Sequence, residues 1–385
     1  MGPAGCGAAL AGCRKLVRMT PRQRVAQSPE KLRAQLSGWY AAERRDLPWR
    51  RTRDPYFIWV SEIMLQQTRV AVVIDRFQAF VSRFPTVEAL ANAPEEDVLA
   101  LWSGLGYYRR ARMLHQAARF VARHLGGRLP ERAEELRELP GVGAYTAAAI
   151  ASIAFDEPVA VVDGNVERVI CRLAGWDEAE GKGGAAKRKK IGEIALHLLD
   201  PERPGDFNQA MMELGATVCL PRGPQCLVCP LTKACKTRGE HKTQPRAPMT
   251  SRDVAHALVE RPSTKGAGLP AMGDAGREGA VLLERRPASE TVMPGMWQLP
   301  VLRETAVPED EPRLTVRHAI MQVNYRVRVQ AVAERDVARM AVDGGERRWV
   351  RRKELGTLPL TGLARKVLAR VGLMTIQPVA ADAKG

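Results

Sequence analysis

The sequence predicts a multidomain protein, with an all-α region over residues 28–236 followed by an α+β domain over residues 253–372. Apolar residues recur at helical spacing in the first region, interrupted by short glycine loops. Four of the seven cysteines lie close together near the end of that region. Beyond a polar, Pro-containing linker at 237–252, short apolar or alternating runs replace the helical pattern. These three observations separate a helical region with a cysteine loop from a second domain that contains strands.

The composition favours a polyanionic partner. The 385-residue chain carries a formal net charge of +16 and has a pI of about 9.9. Such a balance is typical of proteins that bind nucleic acid, although an Arg-rich soluble protein without that function would show it too. No apolar run approaches the ~20 residues of a membrane span. Residues 1–27 are basic with no apolar core behind them, so we expect a disordered segment rather than a secretory signal; residues 373–385 read as a loose tail.

The first predicted helix begins after Ser28, an N-cap residue, and runs to about Glu43. A basic loop at 44–50 leads to a second long helix, predicted from Tyr56 to about Phe80. This second helix contains Glu62 among apolar neighbours. Glu62 is either a solvent-facing helical acid or a buried functional group, and the pattern leaves both open.

Two short helices, over 85–93 and 94–103, precede the glycine loop GLGYYRR at 104–110. Its adjacent tyrosines, Tyr107 and Tyr108, are either ordinary core residues or, if the partner is DNA, a wedge that fills the place of a displaced base. A helix follows as far as Gly126.

A helix, a glycine hairpin and a second helix occupy residues 131–155. In the hairpin, Gly141 and Gly143 flank a single valine, and glycine permits backbone angles that side chains forbid. The second helix, from Tyr145 to Phe155, starts with exposed backbone N–H groups, which form a ready phosphate site. Asp163 stands just before the next helical run. Asp163 is a plain N-cap, a functional carboxylate, or both at once.

The clustered cysteines follow the pattern C-x6-C-x2-C-x5-C, formed by Cys219, Cys226, Cys229 and Cys235. Four thiolates so close in sequence are expected to bind one metal ion or cluster in a reducing compartment, because the odd total argues against a disulfide framework. Zinc remains an alternative, although zinc sites with four cysteines commonly use two C-x2-C pairs. A helix at 207–217 leads into this loop, and the basic insertion at 179–190 reads as a solvated loop.

The C-terminal domain is predicted from apolar or alternating runs at 256–259, 280–283 and 325–329, with a late helix at 363–371. A Gly- and Pro-rich long turn at 261–278 separates the first two strands.

The sequence resembles the MutY-type adenine DNA glycosylases of the endonuclease III, or helix-hairpin-helix, superfamily. The resemblance rests on LPWR (47–50), SEIMLQQTRV (61–70), GLGYYRRAR (104–112), LPGVGAYT (139–146), VDGNVERV (162–169), FNQAMMELGA (207–216) and the cysteine spacing. It implies a six-helix core at about 50–160 and a second lobe formed by the N-terminal helix with residues from about 161 to 236. It also implies that the four cysteines hold a 4Fe–4S cluster.

Breaking an N-glycosidic bond needs an acid for the departing base and an anion beneath the sugar. Glu62, inside an apolar helix, is suited to carry a proton, and Asp163, at a helix N-terminus, is suited to stay negative. The resemblance implies these same roles, with Tyr145 and Asn165 as active-site partners. It further implies that the following residues contact adenine or DNA: Trp49, Arg50, Leu65, Gln66, Gln67, Tyr107, Gly141 and Gly143. Strand-cleaving relatives carry a lysine at the position of Tyr145, and a phenol cannot form their imine.

The C-terminal domain resembles the Nudix, or MutT-like, domain of the same family, on LLERRP (282–287), MWQLP (296–300) and VRHAIMQVNYRV (316–327). Without a glutamate-rich nucleotide-hydrolase box, pyrophosphatase activity is not expected. Where many relatives have Phe-Ser-His in the loop that reads 8-oxoguanine, this chain has Ile320-Met321-Gln322. The resemblance assigns lesion recognition to Met321 and Gln322, and the departure puts discrimination of the lesion in question.

These observations predict a monomeric, monofunctional adenine DNA glycosylase of base excision repair. Its partner would be double-stranded DNA with A·8-oxoguanine or A·G mispairs, in a bacterial cytoplasm, with no membrane. One alternative is a mismatch thymine or pyrimidine glycosylase. The other is a lesion-sensing DNA-binding protein without turnover.

Overall fold

The structure is a computed structural model that describes residues 28–176, 185–240, 248–261, 279–302, 311–320, 322–339 and 346–375. Outside these ranges lie the predicted disordered segment 1–27, the start of the basic insertion, most of the long turn after 261, Met321 and the end of the tail. The chain divides into two compact units. The first comprises Met1–Arg44 and Pro158–Gln244, and the second comprises Arg45–Glu157 and Pro245–Gly385.

The helices of the described ranges are α1 (Pro29–Glu43), α2 (Pro55–Leu65), α3 (Val70–Arg83), α4 (Val87–Ala91), α5 (Glu95–Leu101), α6 (Arg109–His124), α7 (Ala133–Leu136), α8 (Ala144–Phe155), α9 (Gly164–Ala174), α10 (Ala185–Leu198), α11 (Pro204–Thr217) and α12 (Gly362–Arg370). The strands are β1 (Thr250–Leu258), β2 (Glu260–Arg261), β3 (Ala280–Arg285), β4 (Trp297–Gln298), β5 (Val301–Leu302), β6 (Leu314–Ile320), β7 (Val323–Ala331) and β8 (Arg347–Arg351).

The first unit packs α1, α9, α10 and α11 around one hydrophobic core. The predicted N-cap is confirmed, because the Ser28 side chain accepts a hydrogen bond from the Lys31 N–H. Leu231 and Ala234 of the cysteine loop lie in the same core as Leu36 of α1. Burying this core is what fixes the cysteine loop against the helices.

Part of the basic insertion is helical, and the prediction of a loop there is wrong for residues 185–190. These residues form the first turns of α10. One face of α10 is apolar and packs into the first unit's core, with these residues buried at helical spacing: Ile191, Ile194, Ala195 and Leu198. The basic residues extend the same helix at its N-terminus.

The second unit contains α2–α8 and the C-terminal strands. The single long helix predicted from Tyr56 to Phe80 is in fact two, α2 and α3, separated at Gln66–Arg69. Gln67 adopts a left-handed conformation, with φ of 56°, and a helix cannot continue through such a residue. Periodicity did not reveal the break, because apolar residues resume in phase on the far side of the turn.

The hairpin between α7 and α8 uses its two glycines differently. Gly141 has φ of +77°, and a Cβ there would come within 2.6 Å of Met113 Cβ. Gly143, in contrast, is extended with φ of −86°, a conformation open to any residue. The expectation that both glycines serve backbone freedom is therefore right for Gly141 alone. At Gly143 no atom lies within 4 Å of an added Cβ, so the surface beside it is open.

The C-terminal strands form two mixed or antiparallel sheets, which confirms the α+β prediction. One sheet has the order β5-β1-β7-β6, with β1 and β7 parallel. The other has β3 paired with β2, β4 and β8, all antiparallel. Residues from both sheets, including Val281 and Val327, share one core with Val367 of α12. Strand β1 begins at Thr250, inside the range predicted as linker.

Within the second unit, the loop before β4 and the residues before α12 contact the helices. The Tyr108 hydroxyl donates to the Leu360 carbonyl at 3.2 Å, and Arg112 Nη2 donates to the Pro294 carbonyl at 2.6 Å. None of the helices in the ranges given above is long and apolar enough to cross a membrane.

Candidate active site

Glu62 is buried in the second unit, with 6% of its surface exposed. It lies in the last turns of α2, a helix whose other residues from Ile58 to Met64 are also buried. Of the two interpretations that the sequence left open, the solvent-facing one is therefore wrong. A carboxyl group is costly to bury unless its oxygens are hydrogen-bonded. The buried Glu62 carboxyl group therefore needs a hydrogen-bond donor nearby.

Tyr145 is a hydrogen-bond partner of Glu62. The Tyr145 hydroxyl donates to Glu62 Oε2 at 2.7 Å. Tyr145 is the second residue of α8, so the glycine hairpin sets the position of its ring. A second bond joins the same two helix ends, from Gln66 Nε2 to Thr146 Oγ1 at 3.2 Å. The start of α8 is thus held against the end of α2, and a carboxyl group withdrawn from water is fixed in one orientation.

Asp163 belongs to the first unit, where it caps α9. Its Oδ1 accepts from the Val166 N–H at 2.7 Å, and its Oδ2 accepts from Asn165 Nδ2 at 2.8 Å. The N-cap interpretation is therefore correct. It does not exclude a chemical role, because each carboxylate oxygen has two lone pairs. The two bonds orient the carboxylate.

Two further side chains hold the segment around Asp163. Asn208 of α11 accepts from the Val161 N–H at 3.1 Å and donates to the Val159 carbonyl at 2.9 Å. Arg168 Nη2 donates to Asn165 Oδ1 and to the Gly215 carbonyl, both at 2.7 Å. The chain that delivers Asp163 is thereby tied to α11 both before and after the carboxylate.

The residues expected to contact DNA separate into two groups. Gln66, Gln67, Tyr107 and Gly141 line one cavity of about 900 Å³ in the second unit, together with Ile320 and other residues of the C-terminal strands. Tyr107 is 50% exposed and has φ of 45°, whereas the neighbouring Tyr108 is buried. The wedge interpretation therefore fits Tyr107, and the core interpretation fits Tyr108.

The remaining expected contact residues lie elsewhere. Leu65 and Gly143 are not among the residues lining this cavity. Trp49 is buried and packs edge-to-face on Phe77, with ring centroids 5.5 Å apart. Arg50 Nη1 donates to the Arg45 carbonyl at 3.1 Å.

The loop predicted to read the lesion is only partly described. Met321 lies outside the described residues. Gln322 is exposed, and its carbonyl accepts from the Thr250 N–H at 3.0 Å. Among the described residues, Gln322 does not line the cavity, whereas His318, Ala319 and Ile320 do. His318 lines the cavity, although the sequence analysis did not name it as a site residue.

The four clustered cysteines line one small cavity of about 30 Å³ in the first unit, and its described lining contains no His, Asp or Glu. Burial, together with a smaller effect of the other three cysteines, raises the pKa of Cys229 to about 11. Arg172 Nη1 lies 3.4 Å from Cys219 Sγ. The described residues contain no group of three or more His, Cys, Asp or Glu arranged to hold a metal ion. An all-thiol donor set fits an iron–sulfur cluster, with zinc as the other soft-ligand candidate.

Comparison with known proteins gives this geometry a context. The model of the HhH-GPD superfamily base excision DNA repair protein matches residues 60–193. A solved structure of a thermostable thymine-DNA glycosylase is 32% identical, covers 55% of this chain and 96% of that chain, and superposes with a TM-score of 0.50. The chain belongs to the HhH-GPD superfamily of base excision DNA repair proteins.

Within this superfamily, the chain is similar to adenine DNA glycosylases. It is 50% identical to the Homo sapiens protein over 217 residues, which cover 54% of this chain and 39% of that protein. It is 38% identical to the Buchnera aphidicola subsp. Acyrthosiphon pisum protein over 209 residues, which cover 53% of this chain and 58% of that protein. In both cases the match spans less than two thirds of the relative's own length.

Sequence reasoning missed the residues that hold Glu62 in position in the second unit and Asp163 in position in the first. Thr146, Arg168, Asn208 and above all Arg110 act by contacts to backbone or to other side chains. Such contacts depend on which elements of the fold lie next to each other, and no local sequence motif predicts them. The run of arginines after the tyrosines at 107–108 was the one signal that could have pointed to Arg110.

Proposed function

We propose that this chain is a DNA glycosylase that removes adenine from mispairs with 8-oxoguanine or guanine. The observation that carries the proposal is the buried Glu62 carboxyl held by the Tyr145 hydroxyl at 2.7 Å. The similarity to adenine DNA glycosylases at up to 50% identity supports the choice of adenine. The net charge of +16 supports DNA as the partner.

The reaction would proceed by general acid catalysis. Glu62 transfers a proton to the adenine ring while the bond between the base and the sugar breaks, and the bonding electrons leave with the base. The sugar becomes an oxocarbenium ion, which the Asp163 carboxylate stabilises or traps. Water then adds to the sugar, displaces Asp163 where the carboxylate has formed a bond to it, and gives its proton to the Glu62 carboxylate, so that an abasic site is left and the acid is restored. Asn165 holds Asp163 Oδ2 at 2.8 Å and so keeps the carboxylate directed.

The enzyme would be monofunctional. Strand cleavage by relatives proceeds through an imine to a lysine amine, and Tyr145 offers a phenol at that position. We expect purified protein to leave alkali-labile abasic sites without cutting the strand. A borohydride-trapped adduct between protein and DNA, with a β-elimination product, would show that this is wrong.

A 4Fe–4S cluster is the resident group that the cysteine loop would hold, through Cys219, Cys226, Cys229 and Cys235. When bound, it would order the loop and supply no proton or carboxylate to the reaction. Its presence can be tested by iron and acid-labile sulfide analysis of protein purified without oxygen. Iron with stoichiometric sulfide would support the cluster. Zinc without sulfide would instead show that the four cysteines bind a zinc ion.

The central experiment is a single-turnover glycosylase assay on matched duplexes that contain A·8-oxoguanine, A·G, A·T and T·G. We expect base release from the first two and none from A·T. A second candidate, thymine removal, is favoured by the 32% identity to a thymine-DNA glycosylase, and release from T·G alone would support it. Tight binding of A·8-oxoguanine without any base release would instead support a non-catalytic lesion sensor.

A further inference from the structure

Arg110, in the first turn of α6, binds two loops at once. Nη1 donates to the carbonyls of Ile63 at 2.7 Å, Met64 at 3.0 Å and Gln66 at 2.6 Å. Nη2 donates to Thr68 Oγ1 at 3.1 Å and to the carbonyls of Leu105 at 2.9 Å and Gly106 at 3.2 Å. One guanidinium group therefore spans the turn between α2 and α3 and the glycine loop before α6.

The first three contacts complete the end of α2. The last carbonyls of any α-helix lack an intrahelical partner, and a basic side chain can bind them. Here Arg110 takes the Ile63 and Met64 carbonyls directly after Glu62, and the Thr68 N–H takes the Leu65 carbonyl at 3.3 Å. The arginine thus fixes the turn of helix that carries the Glu62 carboxyl.

The other contacts fix the glycine loop. Trp102 Nε1 donates to the Gly106 carbonyl at 3.2 Å, so that carbonyl has two donors. The guanidinium also lies 5.5 Å from the Trp102 ring centroid and 5.7 Å from that of Tyr107. Thr68 Oγ1 joins the two loops a second time, because it also contacts the Leu105 carbonyl at 3.2 Å.

Both loop tips carry a non-glycine residue in the left-handed region. Gln67 has φ of 56° and Tyr107 has φ of 45°, and such residues persist only where the surroundings enforce them. Both tips are exposed and line the same cavity. Gln67 and Tyr107, the tips of the two loops, therefore face the same cavity. Each has an unfavourable backbone conformation, and the bonds that Arg110 makes to the neighbouring carbonyls of Gln66 and Gly106 hold it there.

All acceptors of Arg110 are neutral, and the described residues give it no carboxylate partner. Burial lowers the pKa of Arg110 to about 10, so the group stays charged at neutral pH. The two terminal nitrogens of the planar guanidinium share their four N–H groups among six acceptors on two sides, whereas a lysine ammonium is a single point with three donors. The geometry is therefore specific to arginine.

We propose that Arg110 is a positioning residue that holds the Gln67 and Tyr107 tips ready to enter the DNA stack before DNA is bound. The inference rests on the proposed function in one respect, since it assumes that a base is displaced from the duplex. Its role is to act through the two loops, with no contact to the reacting atoms. Because the two loops are already ordered in the free protein, the entropic cost of ordering them when a base is displaced from the duplex is smaller.

The test compares Arg110→Lys with Arg119→Lys. Arg119 lies on the same helix and also donates to a carbonyl, that of Ala91 at 3.3 Å, but contacts neither loop. Excision is measured in single turnover on a duplex A·8-oxoguanine pair and on adenine that is already unpaired, in a single strand. Arg110→Lys should slow excision from the duplex by about 10- to 100-fold, the effect of misplacement by roughly 1 Å. Its rate on unpaired adenine should change much less, and Arg119→Lys should match the parent on both.

An equal loss on the two substrates would overturn the proposal, because it would mean that Arg110 supports the fold or the chemistry in general. An unchanged duplex rate would overturn it as well. If Arg110→Lys does not fold, Thr68→Val removes the hydroxyl shared by the two loops and takes its place in the comparison. If the parent protein releases no base at all, the proposed function fails separately. The positioning role is then measured by 2-aminopurine fluorescence in the duplex, which should rise on binding of the parent and less with Arg110→Lys.

Discussion

At the scale of single residues, the proposed chemistry depends on a carboxyl group that the fold has withdrawn from water. Glu62 is buried in α2, and it accepts a hydrogen bond from the Tyr145 hydroxyl at 2.7 Å. A buried carboxyl with a fixed partner can deliver its proton along one direction. The same hydrogen bond places Tyr145 beside the acid.

Glu62→Gln should therefore abolish most of the excision while leaving binding of the mispair intact. General acids contribute about 10²- to 10⁴-fold to such reactions, and a loss in that range is expected in single turnover. Tyr145→Phe should give a smaller loss, because the acid stays but loses its orienting bond.

Tyr56→Phe is the control for the loss of a hydrogen-bonded phenol hydroxyl. Tyr56 is also on α2, and its hydroxyl donates to the Phe84 carbonyl at 2.8 Å. Its loss should lower stability by about 1 kcal/mol without changing the excision rate. An equal loss of excision in Tyr56→Phe and Tyr145→Phe would mean that Tyr145 supports only the fold.

At the scale of elements, Asp163 is positioned by the crossing of α9 and α11. An added Cβ at Gly215 of α11 would lie 2.5 Å from Asn165 Cβ and 3.0 Å from Asn165 Cα. The two helices approach so closely that only glycine fits. Because Asn165 donates to Asp163, any displacement of Asn165 also displaces the carboxylate.

Gly215→Ala should destabilise the first unit by about 1–3 kcal/mol, the usual effect of overpacking, and should reduce excision in the surviving folded protein. Gly192→Ala in α10 is the control, because no atom lies within 4 Å of its added Cβ. That change should stabilise the helix by about 0.5–1 kcal/mol. Thermal melts and single-turnover rates of both variants test whether α9 and α11 approach too closely for a side chain at Gly215. A Gly215→Ala protein with the stability and activity of the parent would contradict that packing.

At the scale of the whole molecule, buried histidines link stability to pH. Burial lowers the pKa values of His115 and His256, and both side chains lie almost entirely out of solvent. Their folded pKa values lie below the unfolded value of about 6.5, so the unfolded chain binds more protons just below that pH. Stability should therefore be constant above about pH 6.5 and fall as the pH decreases below it.

His256→Asn isolates one of these groups. The amide can replace the His256 Nδ1 contact to the Leu299 carbonyl, which measures 2.8 Å, but it does not titrate. Urea unfolding at about pH 7.5 and about pH 5.5 should show a smaller loss of stability for the variant, by up to about 1.4 kcal/mol per pH unit for one group. An identical pH dependence in parent and variant would show that His256 does not contribute.

The sequence predicted the helical region, the cysteine loop and the α+β domain because periodicity and spacing are local signals. Glu62 and Asp163 were predicted from their places in the helix pattern, and Tyr145 and Asn165 from the family resemblance; their roles in the reaction stay predictions. The break at Gln67 was missed because apolar residues remain in phase across it, and only its positive φ reveals the turn. Arg110 was missed because its role arises from loops that are distant in sequence and that the fold brings to one guanidinium.

The measurement that tests the central claim most directly is single-turnover excision of adenine by Asp163→Asn. Asparagine is an equally good N-cap, so α9 should stay capped while the negative charge is removed. We predict unchanged binding of the A·8-oxoguanine duplex and excision slower by about 10²- to 10³-fold, the scale of losing one preorganised electrostatic partner of a transition state. Base release at a rate comparable to that of the parent would contradict the account, because the departing base would then need no anion beneath its sugar.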